Sequence, residues 1–145
     1  MELGLYDQAL EELKSASTCP ASELDRDMLL FEIYRRAGEW ETMEMEASER
    51  VKRFPKDYRW WVFWAEAVRG QGELARGKEV LRKGLRRFPD HSHILFQLAC
   101  YSAQLGELAE ARAFLREAIE RDCRWHDISH VDRDLDPLWA SVRQT

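Results

Sequence analysis

Residues 92–125 read SHILFQLACYSAQLGELAEARAFLREAIERDCRW. Large residues at Leu95 and Leu98 and a small one at Ala99 precede Gly106, and the small-large-small set Ala111, Leu115, Ala118 follows it. Small residues let two helices approach closely while large ones fill the space beside them. The stretch therefore predicts two antiparallel helices, 92–105 and 108–121, with Gly106 as a left-handed cap between them.

The same design recurs along the chain. Gly38, Gly72 and Gly106 are 34 residues apart, and Gly4 continues the series backwards. Pro55, Pro89 and Cys123 keep the same interval, as do the pairs Phe54-Pro55 and Phe88-Pro89. Two helices of about 13 residues and two short turns consume such a period, since each helix needs three to four turns to bury one face. First helices are expected at 24–37, 58–71 and 92–105, and second helices at 40–53, 74–87 and 108–121. The first two second helices stop at a Phe-Pro pair, because proline disfavours helix in the residue before it. The predicted architecture is a single all-α domain with full repeats at 24–57, 58–91 and 92–125. A half repeat at 3–20 is read from Leu3 to Ser17, which looks like a second helix without its partner. Residues 126–145 read as a helical cap, with Asp132, Asp134 and Asp136 as helix starters and Ile128, Val131, Leu135, Leu138 and Trp139 as apolar cover.

Over about residues 3–125 the chain resembles the tetratricopeptide repeat family. Leu95, Leu98, Ala99, Gly106, Ala111, Leu115 and Ala118 carry the resemblance best, and Trp61, Trp64, Ala65, Gly72, Gly77, Leu81, Gly84 and Pro89 repeat it in the same order. The first repeat departs from it. Asp27 stands where a bulky residue is usual, Phe31 and Met43 where small ones are usual, and Ala47 where a large one is usual. Large and small have exchanged places there, which predicts a wider separation of its two helices. The resemblance implies a right-handed superhelical solenoid whose first helices line a concave groove.

Composition agrees with an ordered helical protein. Apolar residues make up 45% and charged residues 34%, with only four prolines and seven glycines. The longest apolar run, Trp60 to Ala65, is far short of the roughly 20 residues that cross a bilayer. The first ten residues hold Glu2 and Asp7 where a secretory signal needs a basic start and an apolar stretch, so no export signal is expected. Cys19, Cys100 and Cys123 are odd in number and widely spaced, which argues against a disulfide framework or zinc site and for a reducing cytoplasm. The net charge of −5 is segregated. Residues 1–49 carry −9, residues 50–91 carry +7, and residues 92–145 carry −3.

No constellation reads as catalytic. The histidines, His91, His93, His126 and His130, lie near turns and pair with no nucleophile. His126, Asp127, His130, Asp132 and Asp134 have two histidines at i and i+4, but capping aspartates explain the cluster without a metal. Cys100 reads as a small buried or groove residue rather than a reactive thiolate. No glycine-rich phosphate loop is present, and neither enzyme activity nor a cofactor is expected. Trp61 and Trp64 read as core, which leaves Trp60 to lie between repeats or at the surface. Arg82, Lys83, Arg86 and Arg87 form a stripe on a second helix, the convex side of such solenoids.

By resemblance, the groove takes Met28, Leu29, Glu32 and Arg35 from the first repeat, then Arg59, Val62, Phe63, Glu66 and Arg69 from the second, and His93, Phe96 and Gln97 from the third. Met28, Leu29, Val62, Phe63 and Phe96 would form an apolar floor with charged edges, suited to a peptide or helix with apolar anchors. The Lys/Asn/Arg clamp with which some members hold acidic C-termini is absent, since Met28, Glu32, Phe63, His93 and Gln97 stand in its places. The expected function is a non-catalytic adaptor for another protein. An RNA-binding accessory protein using the convex stripe, or a chaperone of the secretion type, is the alternative. The acidic total argues against nucleic acid. Self-association through the half repeat is a further expectation.

Overall fold

A computed structural model describes residues 23–143. The half repeat read at 3–20, and the self-association expected of it, lie outside the described residues.

Three helical hairpins follow one another. They are α1 (Glu23–Ala37) with α2 (Trp40–Arg53), α3 (Arg59–Gly70) with α4 (Leu74–Arg87), and α5 (Ser92–Gln104) with α6 (Leu108–Arg121). Each inner turn uses the same device. Gly38, Gly72 and Gly106 have φ of 72°, 86° and 81°, a region that costs L side chains energy. The following amide closes the turn five residues back, Glu39 N–H to the Tyr34 carbonyl at 3.0 Å, Glu73 to Val68 at 3.3 Å and Glu107 to Ser102 at 2.9 Å. This double-bonded C-cap satisfies carbonyls that a helix end would otherwise leave open. The 34-residue glycine period is therefore a period of identical turns.

Packing explains the small residues. A Cβ on Gly84 would lie 2.9 Å from Trp61 Cβ, and one on Gly77 would lie 2.9 Å from Tyr101 Cε2 and 3.1 Å from the Ala65 carbonyl. Only glycine lets α4 sit this close to α3 and α5. Leu95, Leu98, Ala99, Ala111, Leu115 and Ala118 are all buried in the core of the second and third hairpins.

A second core belongs to the first hairpin and is completed by Trp60, which is buried between repeats. Phe31, Met43 and Ala47 are fully buried there, so the exchange of large and small residues still yields a filled interior. The Phe31 ring meets Trp60 at 5.2 Å and Phe63 at 5.1 Å, reaching toward the next repeat. The helices α1 and α2 approach each other less closely than those of the other hairpins. Asp27 bonds Arg50 of α2 at 2.9 Å in place of an apolar contact.

The C-terminal segment is a broken helix. It consists of α7 (Arg124–Val131), a short 3-10 helix (Arg133–Leu135) and α8 (Asp136–Arg143). Asp132 accepts a hydrogen bond from the Asp134 amide at 2.9 Å and so starts the 3-10 turn. Leu135 and Leu138 are buried and Trp139 is half-buried against the third hairpin. Two expected cover residues are corrected. Ile128 is exposed and Val131 is 79% exposed, because the helix meets the third hairpin at its start, through Trp125, and the break at Asp132 then brings Leu135 and Leu138 onto it in place of these two. Among the described residues there is no strand, and no helix is long and apolar enough to cross a membrane.

Candidate functional site

The first helices bring charged residues together on one side of the stack. Arg35 donates to Glu66 of the next first helix at 2.9 Å and to Glu32 at 2.6 Å. Arg69 donates to Asp134 of the cap through both terminal nitrogens, at 2.8 and 2.7 Å. Its guanidinium also lies 5.2 Å from the Tyr101 ring centroid. Its hydrogen bonds to Asp134, together with the Asp134 charge, raise the Arg69 pKa against the opposing effect of burial. An open cavity of about 560 Å³ lies between these pairs.

Five of the twelve groove residues read from the sequence line this cavity, namely Arg35, Val62, Glu66, Arg69 and Gln97. Trp40, Tyr101 and Asp134 line it too and were not read as site residues. The Trp40 ring packs directly on Gly70, where a Cβ would lie 2.1 Å from Trp40 Cδ2. A signal for Asp134 is present in the numbering, since Glu32, Glu66, Cys100 and Asp134 are each 34 residues apart.

The remaining candidates lie elsewhere on the stack. Leu29 is 54% exposed, Met28 is half-buried, and Glu32 bonds Arg35 and Arg36 on its own helix. Phe63 is half-buried against Phe31 and Trp60. Arg59 is turned onto Asp57, with Nε to Oδ1 at 3.0 Å, beside the loop between the first two hairpins. His93 is half-buried, 3.2 Å from the Tyr58 hydroxyl and stacked on Trp125 at 5.2 Å. Burial, with His91 nearby, lowers its pKa and favours the neutral ring. Phe96 is corrected. It is 2% exposed and stacked under Trp125 at 4.5 Å, so it belongs to the core beneath the groove. The groove surface is thus more polar than the apolar floor the sequence suggested.

Other chemistry is accounted for by local bonds. His130 stacks on Trp139 at 4.5 Å, and the His126 and His130 rings meet at 4.9 Å. Cys100, Asp132 and Asp134 bring ligand atoms within 4.8 Å of one another, but Asp134 is engaged by Arg69 and Asp132 by the Asp134 amide. Burial, and then the two carboxylates, push the Cys100 thiol pKa well up, which keeps it protonated. On the convex side, Arg82 bonds Glu110, and the buried Lys78 bonds Glu107 and Glu110 at 2.9 Å each. Part of the basic stripe therefore joins repeats, leaving Lys83, Arg86 and Arg87 exposed.

A stack of helical hairpins with a side-chain-lined hollow along its first helices defines a repeat-type protein-interaction scaffold. Residues 92–122, within the third hairpin, match the family model described as Tetratricopeptide repeat. No curated protein sequence matches it. The solved structure "MamA MSR-1 C2" aligns with a TM-score of 0.61 at 18% identity, covering 83% of this chain and 70% of that one, a likeness of fold.

Proposed function

We propose that this chain is a non-catalytic adaptor that holds a peptide or helix of another protein in its concave groove. The observation that carries this reading is the cavity of about 560 Å³ walled by all three first helices, with Val62, Trp40 and Tyr101 as apolar surface between two arginine-centred ion pairs. A cleft of that size, with apolar surface set among charged and polar side chains, suits a side chain or short segment of a partner. Wall residues come from three repeats, so a bound segment would contact the solenoid along its length, as helix-in-groove recognition requires.

The test uses a photo-crosslinking amino acid placed one position at a time. Positions 62 and 97, which line the concave cavity, are compared with convex positions 83 and 87 in the source cell. The adaptor reading expects one protein to be captured from the concave positions and not from the convex ones. Capture from 83 and 87 alone, or of RNA at those positions, would replace it with the convex reading.

A further inference from the structure

Arg35 and Arg69 occupy the same place in successive first helices, 34 residues apart, yet their carboxylates come from different sources. Arg35 is met by Glu66 of the next first helix. The residue 34 places after Glu66 is Cys100, so the third first helix offers Arg69 no acid at that place. The carboxylate comes instead from Asp134, a further 34 residues on, which the 3-10 turn of the cap inserts into the cavity.

We propose, resting on the groove reading above, that Asp134 is a tethered stand-in for an acidic side chain of the partner. Arg69 receives an aspartate or glutamate of a bound peptide, and the cap's own carboxylate competes with it.

Three observations carry this. The pair is reachable, since the Arg69 and Asp134 side chains are 32% and 31% exposed at the cavity wall. The receptor is already shaped, because Tyr101 supports the guanidinium and both terminal nitrogens face one carboxylate, a geometry any second carboxylate would reproduce. The cap does not depend on the ion pair to stay docked. Leu135 and Leu138 are buried in the core of the third hairpin, and the Asp134 carbonyl accepts from Gln104 Nε2 of α5 at 2.9 Å. Asp134 can rotate away while its neighbours hold the cap in place.

Charge supplies the direction. Once Asp134 withdraws, Arg35 and Glu66 remain a neutral pair and Arg69 becomes a half-buried cation without a partner in the first helices. One charge-assisted pair then replaces another, so the exchange costs little beyond displacing a tethered competitor of high local concentration. Arg69 is not one of the places of the clamp that the sequence lacks, so its acceptor role is separate from that device.

The test uses the full chain and a fluorescent peptide of alternating aspartate and leucine, with an asparagine-leucine peptide as control. Asp134→Asn removes the competing charge at nearly constant size. It is expected to bind the acidic probe about tenfold more tightly than the unmodified chain, because the competent state is no longer taxed by the tethered acid. The gain is expected to vanish with the control peptide and in the Asp134→Asn/Arg69→Gln double variant. Circular dichroism and Trp fluorescence check that each variant is folded, and Asp134→Ser repeats the comparison if Asp134→Asn is not. Equal affinity of the unmodified chain and the Asp134 variant overturns the competition. Binding that survives Arg69→Gln, or no binding by any variant, overturns Arg69 as the acceptor. The groove reading fails differently, through crosslinks confined to the convex positions.

Discussion

Arg69 of the second hairpin and Asp134 of the cap are 65 residues apart in the chain and meet through two hydrogen bonds, of 2.7 and 2.8 Å. This contact is where the end of the solenoid folds back over its own concave side. The first helices α3 and α5 run unbroken, whereas the segment after α6 breaks at Asp132. The break places Leu135 and Leu138 on the third hairpin and Asp134 at the cavity, so one local feature both covers the last apolar face and shapes the groove.

Gly84→Ala is expected to destabilise the chain by about 1–3 kcal/mol, although alanine is the better helix former by about 1 kcal/mol. The added Cβ would stand 2.9 Å from Trp61 Cβ and 3.0 Å from its Cγ, atoms close to the backbone that cannot swing aside. Gly72→Ala is the companion measurement. Nothing lies within 4 Å of its Cβ, but its φ of +86° should cost about 1–2 kcal/mol through strain alone. Chemical denaturation reads both, and a stabilised Gly84→Ala would show that α3 and α4 are not packed through this glycine.

Asp27 and Arg50 form the least exposed ion pair of the first hairpin, at 14% and 13% side-chain exposure. Arg50 also bonds Glu46 and lies 5.1 Å from the Phe31 ring centroid and 5.7 Å from that of Trp60. Asp27→Ala should cost about 2 kcal/mol, toward the low side for a broken buried pair, because Glu46 still compensates the guanidinium. Asp27→Leu with Arg50→Leu should recover much of that loss, since apolar replacement of both partners avoids a stranded charge. A double-mutant cycle measures the coupling, and additive single losses would refute it.

The repeat and its turns were legible because each marker has one physical cause. A glycine is needed at positive φ, a proline stops a helix, and Ala99 or Gly84 must be small where helices touch. The exchange of Phe31 and Met43 for Ala47 was legible as a pattern, but not the direction of the Phe31 ring, which depends on where the next repeat sits. Phe96 was misread because its cover, Trp125, comes from beyond the hairpin, so the position in the repeat alone made it look open. Asp134 kept the 34-residue register but looked like a capping residue. Only the break at Asp132 turns its side chain toward Arg69.

Glu44 ties the first hairpin to the second and makes stability depend on acid. Arg76 donates to it at 2.6 and 3.0 Å, Gln71 at 2.8 Å and Trp64 at 3.1 Å. The hydrogen bonds from Arg76, opposed by burial and helped by Gln71 and Trp64, hold its carboxyl at about 2, below the ordinary 4.5. A folded pKa below the unfolded one gives stability that is present above about pH 4.5 and lost as pH falls toward about 2. The melting temperature of the chain should therefore exceed that of Glu44→Gln near neutrality and converge with it near pH 2. A constant gap across that window would show that the Glu44 charge contributes nothing.

The basic stripe gives the sharpest contrast between function and solvation. Arg82 is held by Glu110 and Glu79, while Lys83, Arg86 and Arg87 are exposed and make no ion pair with a described residue. Arg86 and Arg87 lie in the last turn of α4, where cations are favoured by the helix dipole by about 0.3–1 kcal/mol. That placement accounts for them without a ligand. Arg86→Glu with Arg87→Glu should lower stability by no more than about twice that amount and leave capture from positions 62 and 97 unchanged. RNA binding through these cations would behave otherwise, because each phosphate contact releases counterions and steepens the dependence on salt. Retention of the unmodified chain on single-stranded RNA at low salt, abolished by the double reversal, would make the convex face the functional one. Passage of both proteins through the RNA column without retention, with concave capture intact, leaves these arginines as solvated helix ends.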